Sequence, residues 1–203
     1  MFFTNKQYNK MYELIYDWLA NHTSGDKAYM GDLKYYQKEL WNLIIDLVNK
    51  LSSKSTLNDI ENEFLNLATY TGPIYRIQHY NPKNKGYIFE NKYYQSWSRD
   101  LKGASNVPIS SDKVLLIVGY AVNGIDVFGL LYFLFKNEYI TEIPSNFKKP
   151  DGLCRYEKEE EISYSILFEH ITDVVAVDKN KLLDWQDYGR VIPMNKWRRN
   201  SID

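Results

Sequence analysis

The segment TGPIYRIQHY, residues 71–80, decides the fold class because the pattern of the chain changes there. Upstream of it, apolar side chains recur at helical spacing, whereas downstream the chain forms short aromatic and β-branched runs separated by turns. Residues 74–80 are typical of a strand that follows directly on the helical part. The sequence therefore predicts an α+β protein of one domain, with a helical N-terminal part at 1–70 and a β-rich part at 71–203.

Upstream of this segment, three apolar stripes predict helices. They consist of Tyr8, Met11, Ile15, Trp18 and Leu19; of Leu33, Tyr36, Leu40, Leu43, Ile44 and Leu47; and of Ile60, Phe64, Leu65 and Leu67. Thr4 is a candidate N-cap for the first stripe, and Thr56 with Asp59 resembles a capping box ahead of the third. We expect all three stripes to be packing faces.

Downstream of it, turn residues separate short extended runs. The predicted strands after residue 80 lie at 87–89, 92–98, 114–122, 161–168 and 173–178, a short apolar helix at 125–135, and loops at 81–86 and 145–152. This half therefore carries most of the sheet.

Composition limits the classes of function. Lys and Arg total 25 against 26 Asp and Glu, a net charge of -1. Such a balance argues against a nucleic-acid or anionic-membrane partner, and we interpret the basic run at 196–199 as a solvated tail. Cys154 stands alone, so an internal disulfide is excluded and a reducing compartment such as the cytoplasm is the simplest setting. The longest apolar stretch, 114–135, is interrupted by Gly, Asn and Asp, which favours strand, turn and buried helix over a membrane span.

Several common chemistries lack their motifs. The chain has neither of the common glycine-rich phosphate loops and no nucleophile elbow. His22, His79 and His170 are far apart in sequence, and zinc spacing is absent, so no metal site is expected. Cys154 could act as a nucleophile with His79 or His170, but a lone cysteine is more often a small apolar residue.

Two short segments combine polar groups with strand patterns. Arg76 lies on the first predicted strand, directly after the helical part. The segment 94–100 reads YQSWSRD, and in a strand Ser96 and Ser98 point to one face while Trp97 points to the other. The two hydroxyls can then line a polar cleft while the indole packs into the core.

A third segment, 156–162, is the acidic run YEKEEEI. If Glu159 and Glu161 both enter a strand, their carboxylates share a face about 6.5–7 Å apart. Acidic runs are usually solvated turns, but this one leads directly into the apolar stretch 162–168. A strand at that point would carry the carboxylates to the rim of a cleft.

In order and spacing, these three segments resemble the arginine–serine–glutamate class of ADP-ribosyltransferases, which includes cholera-type toxins, arginine-specific ectoenzymes and small phage-encoded enzymes. The family pattern is an aromatic residue and Arg on the first strand, Ser-x-Ser on the second, and Glu-x-Glu leading into a later strand. The matching residues here are Tyr75-Arg76, Ser96-Trp97-Ser98 and Glu159-Glu160-Glu161-Ile162. The resemblance covers about residues 71–178, and Asp100 with the helical N-terminal part is also similar to the phage enzymes.

The resemblance implies a split-sheet core, NAD as co-substrate and transfer of ADP-ribose to a protein side chain with release of nicotinamide. It also implies a toxin-like, phage or bacterial effector that works in the cytoplasm, and in the host cytoplasm if a phage encodes it. The target protein is left open by the sequence. No metal and no membrane are required.

The same resemblance assigns the residues that would bind NAD. A guanidinium binds phosphate oxygens in a bidentate manner, so Arg76 would hold the pyrophosphate or the nearby ribose. Ser96, supported by Ser98, would hydrogen-bond the ribose or orient the catalytic carboxylate. Tyr75 is a candidate to stack on nicotinamide, with Tyr93 and Tyr94 as alternatives.

The two glutamates receive different catalytic roles. Glu161 would stabilise the oxocarbenium-like cation that develops when the glycosidic bond breaks. Glu159 would orient and deprotonate an incoming guanidinium, and a Glu at this position favours arginine as the target residue. The run also permits another register, with Glu157 and Glu159 as the pair; Ile162 favours Glu161, because the family's last glutamate precedes a β-branched strand residue.

Two departures from the family pattern define the competing interpretations. Ile77 stands where the family often has glycine, and Trp97 where it often has a small residue or Thr. One alternative is therefore a catalytically inactive relative whose pocket these side chains block. The other is an unrelated α+β binding protein that inhibits a partner by contact, which would consume no NAD.

Overall fold

The structure of the protein is a computed structural model that describes residues 2–21, 35, 37–80, 94–140 and 157–193. Several sequence predictions lie outside these residues: the loops at 81–86 and 145–152, the strand at 87–89, His22, Leu33, Tyr36, Tyr93, Cys154 and the basic run at 196–199. Within the described parts of the chain, none of the helices is both long and apolar enough to cross a membrane.

Strands and short helices are interspersed after residue 68, whereas only helices precede it among the described residues. In chain order they are α1 (Asn5–Asn21), a π-helical segment (Gln37–Trp41), α2 (Asn42–Ser52), α3 (Asp59–Ala68), β1 (Thr69–His79), β2 (Gln95–Ser98), α4 (Leu101–Asn106), β3 (Lys113–Asp126), α5 (Val127–Lys136), β4 (Glu161–Tyr164), a 3-10 segment (Phe168–His170), β5 (Ile171–Asp178), a second 3-10 segment (Lys179–Asp184), α6 (Trp185–Tyr188) and β6 (Arg190–Val191). The predicted α+β class with an N-terminal helical part is confirmed.

The chain divides into two compact units. We call the first, Met1–Tyr70 with Ile125–Glu157, the helical unit, and the second, Thr71–Gly124 with Lys158–Asp203, the sheet unit. The boundary at Tyr70 coincides with the change of pattern seen in the sequence. The helical unit also takes in a later segment that contains α5, which the sequence placed in the β-rich part.

Aromatic side chains form much of the core of the helical unit. Trp18 and Trp41 are fully buried and meet edge to face, with ring centroids 5.0 Å apart. Phe64 on α3 packs against Phe133 on α5 in a similar geometry at 5.2 Å. At Gly129 on α5, a Cβ would lie only 1.8 Å from the Leu67 carbonyl oxygen, so the two helices approach too closely there for any side chain.

Local hydrogen bonds set the helix starts, and one sequence prediction about them is wrong. Thr4 Oγ1 accepts from the Gln7 backbone N–H at 3.3 Å, which confirms the predicted cap. The capping box of α3, however, is formed by Asn58 and Glu61 and not by Thr56 and Asp59. The prediction placed the capping box two residues too early, because Asn58 is an equally good N-cap and has the required glutamate three residues later.

The strands of the sheet unit pair in the order β1-β2-β4-β3-β5-β6, and β1 also pairs with β3. Hydrogen bonds join both ends of the β1–β3 pair, from Tyr80 N to Lys113 O at 3.3 Å and from Asn123 N to Thr71 Oγ1 at 3.1 Å. Pairings therefore run in a closed ring through β1, β2, β4 and β3. Within it, β2 lies between β1 and β4, antiparallel to both.

Strand lengths differ from the sequence predictions. β1 begins at Thr69 and not at Ile74, and β3 continues to Asp126 instead of stopping at residue 122. β3 passes through the Asn-Gly pair because Asn123 adopts a left-handed φ of 55°, which asparagine tolerates better than most residues. β4 ends at Tyr164, four residues before the predicted end.

An apolar cluster fills the core of the sheet unit. Its buried members are Ile77, Ala104, Ile109, Val114, Leu116, Val118, Val175, Val177 and Leu182. These residues come from β1, β3, β5 and the segments beside them, whereas β2 and β4 contribute none. The two strands that carry the serine and glutamate motifs therefore lie outside this cluster.

Candidate functional site

β2 and β4 are paired so that their polar residues face each other. The register places Ser96 opposite Ser163 and Ser98 opposite Glu161, while Trp97 lies opposite Ile162. Directly opposed residues of an antiparallel pair project from the same face, with Cβ atoms about 4.5–5.5 Å apart. Ser96, Ser98, Glu161 and Ser163 thus share one face, which we call the polar face.

Most of the polar face is buried. The exposed fraction is 3% for Ser98, 6% for Glu161 and 0% for Ser163, and Ser96 is half-buried. Polar and charged groups lose their hydration when buried and are normally placed there only with hydrogen-bond partners. Yet Ser163 Oγ has no hydrogen-bond partner among the described residues. The face is therefore costly for the fold, which makes it a candidate for a functional site.

Arg76 reaches this region from the neighbouring strand. Its Nη1 donates a hydrogen bond to the Ser96 carbonyl oxygen, and its Nε has no partner among the described residues. Burial lowers the pKa of Arg76 to about 10, and the nearby Glu161 carboxylate opposes that shift. The guanidinium therefore remains charged at neutral pH and keeps one donor available in a dry environment.

The structure thus brings three of the predicted residues together. Arg76 lies on β1, Ser96 on β2 and Glu161 on β4, and these strands are neighbours. Ser98 is the register partner of Glu161 on one side and of Tyr75 on the other. Tyr75 is half-buried and packs against the apolar cluster of the sheet unit, so its role as a nicotinamide contact stays a prediction.

Glu159 does not lie on the strand, which corrects the expectation that both glutamates enter it. β4 begins at Glu161, and Glu160 has a left-handed φ of 47° that breaks the extended run immediately before it. Glu160 instead forms an ion pair with Arg99, its Oε2 lying 2.6 Å from Nε. Polar and apolar residues alternate from Glu161 onward, in the order Glu-Ile-Ser-Tyr. If the strand began earlier, Glu160 would lie on the same face as the buried Ile162.

The turn that carries Glu159 is fastened to helix α4. Asn106 Nδ2 donates to the Lys158 carbonyl oxygen at 2.6 Å, and Asp100 caps α4 by accepting from the Gly103 N–H at 2.5 Å. A Cβ on Gly103 would lie 2.6 Å from the Glu159 carbonyl oxygen, so only glycine allows the backbones to approach this closely. Asp100, which the resemblance associated with the phage enzymes, has a structural role here.

The three glutamates considered for the catalytic pair differ in how far they are buried. Glu157 is exposed, Glu159 is half-buried and Glu161 is buried. Burial raises the pKa of Glu159 to about 7, which is the range suited to a general base at neutral pH. Glu161 therefore lies at the polar face and Glu159 on the turn before it, while the choice of catalytic register stays a prediction.

The two departures from the family pattern are both core residues. Trp97 is 1% exposed, and its Nε1 donates to the Tyr164 carbonyl oxygen at 3.2 Å, so the predicted core position is confirmed. Ile77 is 3% exposed and belongs to the apolar cluster. Trp97 projects from the face of β2 opposite to Ser96 and Ser98. Ile77 shares a face of β1 with Tyr75, the register partner of Ser98, and packs in the apolar cluster.

Sequence reasoning missed Ser163 and Gly103. Ser163 could have been found from strand alternation, since it lies two residues after Glu161 on a strand that had been predicted. Gly103 could not, because its role depends on the close approach of the turn at Glu159. Across the residues that the structure describes, no group of three or more His, Cys, Asp or Glu is placed to hold a metal ion.

Comparison with known proteins gave no match to any family model, curated protein or solved structure.

Proposed function

We propose that the protein is a mono-ADP-ribosyltransferase that cleaves NAD and transfers ADP-ribose to a protein side chain, with arginine as the preferred target. The observation that carries the proposal is the pairing of Ser98 with Glu161 beside the buried Arg76. A cation, hydroxyls and a carboxylate on three neighbouring strands suit a ligand that is anionic at its pyrophosphate and cationic at its nicotinamide. We also propose that the strands of the sheet unit form the split-sheet core of this enzyme class.

In the reaction, the bond between C1′ of the ribose and the nicotinamide nitrogen breaks, and nicotinamide leaves with the electron pair. The ribose becomes an oxocarbenium-like cation, which the Glu161 carboxylate stabilises more strongly than it stabilises neutral ribose. Arg76 holds the pyrophosphate and Ser96 the ribose, so that the reacting carbon stays near Glu161.

The second half of the reaction needs a nucleophile. A guanidinium nitrogen of the target attacks C1′, and Glu159 accepts the proton that this nitrogen loses. A carboxyl with a pKa of about 7 suits this role, because about half of it is ionised at neutral pH and the ionised form takes up a proton readily. Without a target, water takes the place of the guanidinium and the enzyme hydrolyses NAD. We place the reaction in the cytoplasm, and in that of the host if a phage encodes the protein.

The test is incubation of the purified protein with labelled NAD and a cell lysate, followed by detection of labelled bands and free nicotinamide. We expect labelled protein with the wild type and none with Glu161→Gln. Glu169→Gln is the matched control, because Glu169 is an exposed glutamate on the neighbouring 3-10 segment and should leave labelling unchanged. Absence of both label and nicotinamide with folded wild type would refute the proposal.

One observation favours a second candidate, a catalytically inactive relative that acts on a partner by contact. Arg76 is 7% exposed and Glu161 6%, which leaves little of either side chain open to a ligand. In that case the buried charges would serve the fold alone. The same assay separates the candidates, since the inactive relative binds its partner without releasing nicotinamide.

A further inference from the structure

The polar face contains one hydroxyl that the proposed chemistry has not used. Ser163 lies two residues after Glu161 on β4 and directly opposite Ser96 on β2. It is completely buried, and its Oγ has no hydrogen-bond partner among the described residues. Burying an unsatisfied hydroxyl costs stability, whereas alanine would occupy the same position at no such cost.

Strand geometry brings this hydroxyl close to the groups proposed to act on ribose. Residues i and i+2 of a strand are about 6.5–7 Å apart on the same face, and the longer glutamate side chain shortens the gap between its carboxylate and Ser163 Oγ. The reacting C1′, which the proposed function places near Glu161, is bonded to the carbon that carries the 2′-hydroxyl, and the vicinal 3′-hydroxyl lies on the carbon after that. Ser163 is the next polar side chain along the same face.

We infer that Ser163 is a substrate-binding residue whose Oγ hydrogen-bonds the 3′-hydroxyl of the nicotinamide ribose. This inference depends on the proposed function and assigns a role to a residue outside the Arg, Ser-x-Ser and Glu-x-Glu motifs. The hydroxyl has no partner among the described residues of the empty protein, and because it is completely buried it gains one only as binding of NAD displaces the groups that cover it. Ser163 holds the ribose in the substrate and in the transition state alike, so it affects binding more than the rate of bond cleavage.

The experiment measures the Kd and KM for NAD, kcat and the melting temperature of the full chain as wild type, Ser163→Ala and Ser165→Ala. Ser165 is a matched control, because its Oγ also has no partner among the described residues but it follows the end of β4, where β2 offers no register partner. We expect Ser163→Ala to raise Kd and KM about tenfold, to change kcat less than threefold and to melt no lower than wild type. Ser165→Ala should leave Kd unchanged.

An NAD analogue without the 3′-hydroxyl of the nicotinamide ribose completes a double-mutant cycle. It should bind wild type about tenfold more weakly than NAD does, but bind Ser163→Ala no more weakly than NAD does. Ser163→Cys, which nearly preserves the volume and weakens the donor, repeats the cycle if Ser163→Ala does not fold.

The outcomes separate the two proposals. If wild type consumes NAD and Ser163→Ala binds it with unchanged Kd, or if the losses from variant and analogue simply add, the role of Ser163 is overturned while the proposed function stands. If folded wild type neither binds nor consumes NAD, both are overturned.

Discussion

The two units of the protein differ in how completely they satisfy the hydrogen bonds of their buried charged side chains. In the helical unit, the buried Glu61 accepts hydrogen bonds from Lys54 Nζ and from the Asn58 backbone N–H. In the sheet unit, Arg76 Nε, Ser163 Oγ and both polar atoms of the buried Gln95 amide have no partner among the described residues. Both units also have a core of buried apolar side chains.

The difference indicates what each set of groups is for. The Glu61 carboxylate has its hydrogen-bond partners within the protein and stabilises the start of α3, so its role is structural. Unsatisfied buried groups cost stability unless something outside the protein completes their hydrogen bonds. Two of them, Arg76 Nε near the Glu161 carboxylate and Ser163 Oγ on the same face of β4 as Glu161, therefore mark the region in which a ligand would improve the hydrogen bonding of the protein.

The largest expected effect comes from replacing the buried glutamate of each unit, Glu161 in the sheet unit and Glu61 in the helical unit. Glu161→Gln should lower NAD cleavage by about a thousandfold or more, because loss of one preorganised group facing developing charge costs about 10²–10³ in rate and here the full charge is removed. The measurement is nicotinamide release under single-turnover conditions, with far-UV circular dichroism to verify folding.

Glu61→Ala is the counterpart in the helical unit. It should lower the melting temperature by removing the capping box and the ion pair with Lys54, while nicotinamide release per folded molecule stays at the wild-type level. If Glu61→Ala reduced turnover as much as Glu161→Gln, the division of roles between the units would be wrong.

Tryptophan truncation gives the next largest effect. Trp97→Ala should lower the free energy of unfolding by about 3–5 kcal/mol, since it removes a fully buried indole. Trp18→Ala in the helical unit should cost a similar amount. Chemical denaturation of both variants measures this, and Trp97→Phe should retain most of the stability and activity.

The activity of the two truncated variants then distinguishes the units. Trp97 lies between Ser96 and Ser98 on β2, so its loss should disturb the polar face directly, whereas Trp18 is remote in sequence from every site residue. An unchanged melting temperature together with altered NAD binding in Trp97→Ala would instead mean that the indole faces the ligand.

Several features of the fold were predictable because a local pattern determines them. The change from helical to strand periodicity at Thr71 coincides with the boundary of the sheet unit, and Ser-Trp-Ser alternates as a strand requires. The placement of Arg76, Ser96 and Glu161 on neighbouring strands is also as the sequence suggested, although their chemical roles stay predictions. Each of these features depends on residues that are close together in the chain.

The features that sequence did not predict depend on contacts between distant segments. The start of β4 at Glu161 is fixed by the left-handed Glu160 and by its ion pair with Arg99, and no single-sequence pattern indicates either. The inclusion of α5 in the helical unit follows from its close packing on α3 at Gly129, a contact that periodicity does not encode. The helix α4, which is short, was missed because it has no apolar stripe.

A smaller effect is expected from a substitution that moves the turn carrying Glu159. Gly103→Ala introduces a Cβ 2.6 Å from the Glu159 carbonyl oxygen, so the turn must move. We expect transfer to an arginine acceptor to fall about tenfold and stability to fall by about 1–3 kcal/mol, as for other overpacked sites. NAD hydrolysis should fall less, because water needs less positioning than a guanidinium. Equal losses of transfer and hydrolysis would argue against a positioning role for this turn.

The smallest effect, and the most specific, is the opposite pH dependence of two glutamates. Hydrogen bonds from Lys54 and Asn58 lower the pKa of Glu61, whereas burial raises the pKa of Glu159 from 4.5 to about 7. Below pH 4.5 the unfolded chain binds a proton at Glu61 more readily than the folded one, so the contribution of Glu61 to stability is lost as the pH falls. Between pH 4.5 and 7 the folded chain holds the proton at Glu159 more tightly, so the contribution of Glu159 to stability is lost as the pH rises.

Glu159→Gln tests this sign directly. The variant should lack the decline of stability between pH 4.5 and 7 and should therefore unfold at a higher denaturant concentration than wild type at pH 8. Its transfer activity should fall and lose the rise through pH 7 that deprotonation of Glu159 gives the wild type, while much of its NAD hydrolysis persists. Denaturation midpoints and transfer rates at several pH values provide both readouts. A variant that lost the stability decline but kept the pH dependence of transfer would show that Glu159 is buried at a cost to the fold without acting as the base.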